Sequence, residues 1–115
     1  MAQEQSRPAD FDRWGYELTP ISNVPGHDVG IQLIDRPPGG AATPHSHPDG
    51  HEWVYCISGS MMLTIGDNPA KELKAGDVEY LPPNVVHFGR NVTNETVKLI
   101  LFRVKPHDKP LFKFA

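Results

Sequence analysis

Three histidines and one glutamate are the residues of this sequence whose types and spacing could do chemistry. His45 and His47 are separated by a single residue, so on an extended strand both imidazoles point to the same side. Glu52 follows after Pro48-Asp49-Gly50, a tight-bend signal, and that bend can return the chain so that Glu52 faces the two histidines across a strand pair. His87 stands on a separate segment and reaches the same point only if the sheet curls. Imidazole and carboxylate suit iron, manganese, nickel, cobalt or zinc. Three neutral histidines and one carboxylate would leave one or two coordination positions open, the arrangement a reactive site needs. A sulfur-rich structural zinc site is excluded, because Cys56 is the single cysteine.

The ordinary reading stands beside this one. A His-x-His pair in a proline-rich loop is usually a solvated turn, and taken alone it favours metal only weakly. His27 and His107 neighbour Asp28 and Asp108 in polar stretches and read as surface residues. His51 precedes Glu52, and adjacent strand residues face opposite ways, so an inward Glu52 puts His51 outside or at a cavity rim.

The elements that must position these residues are strands. The 10 glycines and 12 prolines of the 115-residue chain break helices, and no apolar pattern holds a 3.6 period long enough for one. Val29 to Ile34 alternates and ends at Pro37-Pro38-Gly39-Gly40. Glu52–Ile57 and Met61–Ile65, joined through Ser58-Gly59-Ser60, predict a hairpin. Lys71 to Leu73, Val78 to Leu81, Val85 to Asn91 and Val97 to Val104 follow, each closed by turn residues. About eight short strands predict an all-β, antiparallel sandwich or small barrel. Residues 1–12 are polar and are expected to form a flexible arm, leaving 13–115 as a single domain.

Composition removes whole classes of function. With 11 basic and 14 acidic residues the net charge is −3, and no basic run offers a nucleic-acid footprint. Apolar stretches are too short to span a bilayer, and the polar start MAQEQSRPADFD lacks a signal core. With one cysteine, these features lead to the expectation of a cytoplasmic protein.

Taken together, the motifs resemble those of the cupin superfamily. Its first motif runs glycine, five residues, His-x-His, three or four residues, glutamate, six residues, glycine, matched by Gly39, His45, His47, Glu52 after four residues and Gly59. Its second is matched by Gly76, Pro82, His87 and Asn91, with Asn84 standing where the motif has glycine. Asparagine tolerates a left-handed backbone best among the other residues, so the turn should survive. The resemblance implies a jelly-roll barrel in which His45, His47, Glu52 and His87 hold one divalent metal ion (Fe, Mn, Ni or Zn). It also implies that Gly59 and Gly76 permit tight turns, and that Asn91 stabilises a turn without touching metal.

Two function classes follow. One is a metal-dependent enzyme, dioxygenase-, isomerase- or lyase-like, acting on a small oxygen-rich or aromatic molecule. The other is a non-catalytic binding or sensor module, since Gly50 to Tyr55 also looks like cupin sensor domains attached to DNA-binding regulators. An enzyme needs a proton-transfer residue beyond the ligands, for which His51, Tyr80 and Glu79 are candidates, each also a credible surface or packing residue. Val54 and Cys56 share the face of Glu52 and would wall the cavity, with Met61 or Met62, Phe88 and a residue from Leu99 to Phe102 as further positions. A homodimer is the expected assembly, with Trp14, Tyr16, Trp53 and Phe112 available to its interface. The apolar tail Pro110 to Phe114 is expected to dock, on its own barrel or on a neighbour.

Overall fold

The structure is a computed structural model that describes residues 15–17 and 24–115. The arm expected at residues 1–12, together with Trp14, lies outside the described residues. In chain order the strands are β1 (Gly15–Glu17), β2 (His27–Arg36), β3 (His45–Ser46), β4 (His51–Ser58), β5 (Ser60–Ile65), β6 (Lys71–Lys74), β7 (Val78–Leu81), β8 (His87–Arg90), β9 (Val97–Pro106) and β10 (Lys113–Phe114). They form two five-stranded antiparallel sheets, ordered β1-β2-β9-β4-β7 and β10-β3-β8-β5-β6, which face each other as a jelly roll. No helix is present among the described residues.

Period-two alternation decides what goes inside. On β4, Glu52, Val54 and Cys56 are buried while His51, Trp53, Tyr55 and Ile57 are exposed. On β9 the buried set is Val97, Leu99 and Leu101. Met61 and Leu63 of β5, Leu73 of β6 and Leu81 of β7 complete a continuous apolar core with them. Burying each such side chain stabilises the fold by roughly 1.5–3 kcal/mol. Met61 therefore takes the wall position that sequence left open between it and Met62, and Phe88 points away from the interior that His87 and Gly89 face.

The hairpin expected across Gly59 does not form. β4 is hydrogen-bonded on one side to β9 and on the other to β7, so it has no free edge for β5, which pairs instead with β6 and β8. Gly59 is the corner where the chain leaves one sheet for the other. It has φ 78°, and a Cβ there would lie 2.8 Å from the Thr96 carbonyl oxygen, so only glycine fits. Gly76 differs: its φ of 92° demands a left-handed backbone, but a Cβ would meet nothing within 4 Å.

The bend at Pro48-Asp49-Gly50 is likewise a crossing between sheets, because β3 and β4 belong to different ones. Asn84 adopts φ 67° as its substitution for glycine requires. Its side chain also accepts from the Asp49 amide at 3.0 Å and donates to the Asp49 carboxylate at 3.1 Å, while its own amide donates to the His47 carbonyl at 3.2 Å. The two loops that present His47 and His87 are thus tied together by a residue glycine could not replace. Asn91, fully buried, donates to the carbonyls of Arg36 and Glu95 and accepts from Thr93, stabilising the turn before β9. The C-terminal tail closes its own barrel: Lys113 and Phe114 pair with Ser46 and His45, and Phe112 is fully buried. Phe112 is therefore not available to an interface.

Candidate metal centre

His45 and His87 are register partners on β3 and β8, so their side chains stand next to each other on one sheet without any curl of the sheet. His47 leaves the end of β3 beside them. The ligand nitrogens of all three lie within 4.8 Å of one another, and all three residues are buried. Glu52 reaches the cluster from the opposite sheet. Its carboxylate oxygens lie 3.3 Å from His47 Nε2 and 3.3 Å from His87 Nε2. The convergence expected of these four side chains is present, although Glu52 approaches across the barrel interior and not across a strand pair.

The orientation of each imidazole is fixed by backbone. His45 Nδ1 lies 2.6 Å from the Thr43 carbonyl oxygen, His47 Nδ1 2.6 Å from that of Leu111, and His87 Nδ1 3.2 Å from that of Val85. A carbonyl oxygen only accepts, so each Nδ1 carries the proton and each Nε2 presents a lone pair. The Nε2 atoms of His47 and His87 are buried and have no hydrogen-bond partner. Nε2 of His47 and His87 thus both face the Glu52 carboxylate at 3.3 Å, and a metal ion held among them satisfies both lone pairs and the carboxylate. The donor set fits a divalent metal ion.

Electrostatics keep the ligands in the form a metal requires. Burial pushes the Glu52 carboxyl up, but the Arg103 guanidinium, followed by the neighbouring His47 and His87, outweighs it and holds the group well below the usual carboxylate range. Burial, followed by the charge of His87, pushes His45 down to about 3, so its imidazole is neutral across the physiological range.

Arg103 was not among the residues singled out by sequence. It is the direct register partner of Glu52, its Nε donates to Glu52 Oε2, and its second arm donates to Gln32 Oε1 at 2.7 Å. A signal for it exists in the β9 pattern, where Arg103 continues the inward series Val97, Leu99, Leu101. An arginine at an inward position needs a buried anion, and Glu52 is that anion.

The other candidates fall elsewhere. His51 and Tyr80 lie on the outer face of the first sheet, where His51 Nδ1 meets the Tyr80 hydroxyl at 2.5 Å. Glu79 pairs with Lys71 at 2.7 Å. None of the three is brought to the histidine cluster: alternation turns His51 and Tyr80 outward while Glu52 faces in opposite Leu81, and Glu79, on the inward face opposite Val54, is held by Lys71 instead. Cys56 is buried, and burial followed by the Asp77 charge raises its thiol, leaving it a packing residue.

The relatives agree with this architecture. Residues 32–103 match the family model of the cupin domain, more than half of the chain, and the protein belongs to that family. It is 31% identical over 98 residues to Germin-like protein 3-1 of Oryza sativa subsp. japonica, covering 76% of this chain and 44% of the relative. It is 37% identical over 71 residues to oxalate decarboxylase OxdC of Bacillus subtilis (strain 168), covering 58% of this chain and 18% of the relative. The chain thus spans less than half the length of these curated relatives. Among solved structures, a double-stranded β-helix protein from Klebsiella pneumoniae superposes with TM-score 0.67 at 23% identity, covering 96% of this chain and 84% of the other. No helix among the described residues is long and apolar enough to cross a membrane.

Proposed function

We propose that His45, His47, Glu52 and His87 bind one divalent metal ion and that the protein is a metal-dependent enzyme acting on a small oxygen-rich or aromatic molecule. The observation that carries this reading is the pair of buried Nε2 lone pairs, on His47 and His87, aimed at the Glu52 carboxylate. Bound there, the metal would supply Lewis acidity or oxygen activation at positions the protein leaves open. The chain's own residues do the rest. Three backbone carbonyls fix the imidazole tautomers, Arg103 keeps Glu52 ionised, and Leu81, Val54 and Leu101 form an apolar floor that excludes water from beneath the site.

A second reading, a non-catalytic module that binds a small ligand, is favoured by one observation. His51, Tyr80 and Glu79 stand away from the cluster, and Arg103 can orient an anion but cannot move a proton. The cytoplasm remains the proposed location, on the presence of one cysteine, buried in the core, where a disulfide framework would need several.

The test is metal analysis followed by turnover assays. One metal per chain is expected in the wild type and none in His47→Ala, with the all-β spectrum retained, while His51→Ala keeps its metal. Metal retained in His47→Ala contradicts the ligand assignment. Oxygen consumption or product formation with catechols, diketones, flavonols or oxalate supports the enzyme. Ligand-induced stabilisation without turnover supports the binding module.

A further inference from the structure

Glu52 is the one buried carboxylate among the described residues, and it has two sets of partners. Its Oε1 faces His87 Nε2 and its Oε2 faces His47 Nε2, each at 3.3 Å, while Oε2 also accepts from Arg103 Nε. The guanidinium is held in this contact. β9 lies between β4 and β2, so Glu52 grips Arg103 from one flanking strand and Gln32 from the other, Arg103 Nη1 donating to Gln32 Oε1 at 2.7 Å. The side chains of Arg103 and Glu52 are only 12% and 3% exposed, so water screens neither charge well.

The residues around the cluster bring no net charge of their own. Each imidazole is neutral with its one ring proton on Nδ1, held by the carbonyls of Thr43, Leu111 and Val85. The negative charge of Glu52 is matched by the positive charge of Arg103. Lys105, two residues along β9, is matched by Asp28 at 2.9 Å and adds none. A divalent ion held by the three imidazoles and Glu52 would therefore leave about two uncompensated positive charges in the site, and a trivalent ion about three. The third is the costly one. Arg103 opposes it twice, by direct repulsion at low dielectric and by drawing electron density from the carboxylate that would bind the ion.

We propose that Arg103 sets the valence of the ion at this site, holding it divalent by sharing the Glu52 carboxylate with it. This rests on the metal-binding reading given above and sharpens it. Chemistry in which the metal gives up an electron works against the fixed charge of Arg103. Lewis-acid chemistry, in which an anionic substrate oxygen binds at an open position and charge moves within the substrate, works with it. The isomerase- or lyase-like branch of the reading is favoured over the dioxygenase-like branch. Arg103 acts through Glu52 and is a positioning residue, not a catalytic one.

The experiment uses the full chain loaded anaerobically with ferrous iron, whose two accessible states differ by one electron. Iron content is measured first. The midpoint potential is then read from the ferric electron paramagnetic resonance signal against redox mediators, which take up or supply that electron. Arg103→Met, loaded to the same iron content, is expected to lower the midpoint by at least about 60 mV, a tenfold gain in the ferric form at a given potential. Arg103→Lys, which keeps the charge, is expected to stay closer to the wild type than to Arg103→Met. Iron bound with the same midpoint in wild type and Arg103→Met overturns the inference and leaves the metal reading standing. Equal shifts in both variants overturn it too, since packing and not charge would then set the potential. A wild type that binds no divalent ion overturns the metal reading and the inference with it, and one that binds other ions but not iron overturns the inference alone.

Discussion

The interior of this barrel has two halves made by opposite rules. Toward Cys56 and Leu99 it is dry and filled by Val54, Met61, Leu63, Leu73 and Val97. Toward Glu52 it is a buried polar network in which three imidazoles, a carboxylate, Gln32 and Arg103 face one another. The same strands build both, since β4 carries Glu52 and Cys56 on one face and β9 carries Leu99 and Arg103 on one face. Stability and chemistry are thus separated along the strand direction: one half supplies the packing that the other, with its charges drawn out of water, cannot.

The separation can be broken from either end. The largest effect is expected at the dry end, where Leu99→Ala empties a fully packed position and costs about 2–5 kcal/mol in denaturant unfolding, with one metal per chain still bound. A loss of metal equal to the loss of stability would mean that the two halves are not independent.

At the polar end, acid is the sharper probe. In the unfolded chain His45 takes a proton near its ordinary 6.5, whereas in the fold it resists until about 3. Between those values the unfolded state binds more protons, so the metal-free protein loses stability as pH falls from 6.5 toward 3. Glu52 acts in the same sense below 4.5, because its folded carboxyl stays ionised where the unfolded one protonates. Unfolding free energies from urea titrations across this window should fall steadily, by about 3–5 kcal/mol in all. A value that stays flat or rises would contradict the buried, neutral state of His45.

The smallest effect expected is at the support of the ligand. Arg103→Met removes the charge that offsets the burial of Glu52, so metal affinity should fall about tenfold, and binding should be lost at a higher pH than in the wild type. Competition with a chelator at several pH values measures both. Unchanged affinity and an unchanged pH threshold would show that Arg103 only fills space.

Much of this was legible in the sequence because strand parity is local. That Glu52 faces in and His51 out follows from adjacency alone, and the left-handed turn at Asn84 follows from the residue type. What was not legible is long-range. Whether the chain folds back at Gly59 or crosses to the facing sheet depends on both edges of β4 already being occupied by β7 and β9, a fact of topology. Arg103 was missed for the same reason, since its value lies in standing opposite Glu52 on a strand 51 residues further on. The carbonyl that orients His47 comes from Leu111, 64 residues away in a tail whose docking sequence could expect but not direct.

The central claim is that one ion sits where β3, β8 and β4 converge. Crystals of the metal-loaded protein measured at the absorption edge of the metal found by analysis would test it most directly. The account predicts a single anomalous peak within bonding distance of Nε2 of His45, His47 and His87 and of the Glu52 carboxylate. A loaded crystal with no peak there, or with its peak on the outer face beside His51 and Tyr80, would contradict it.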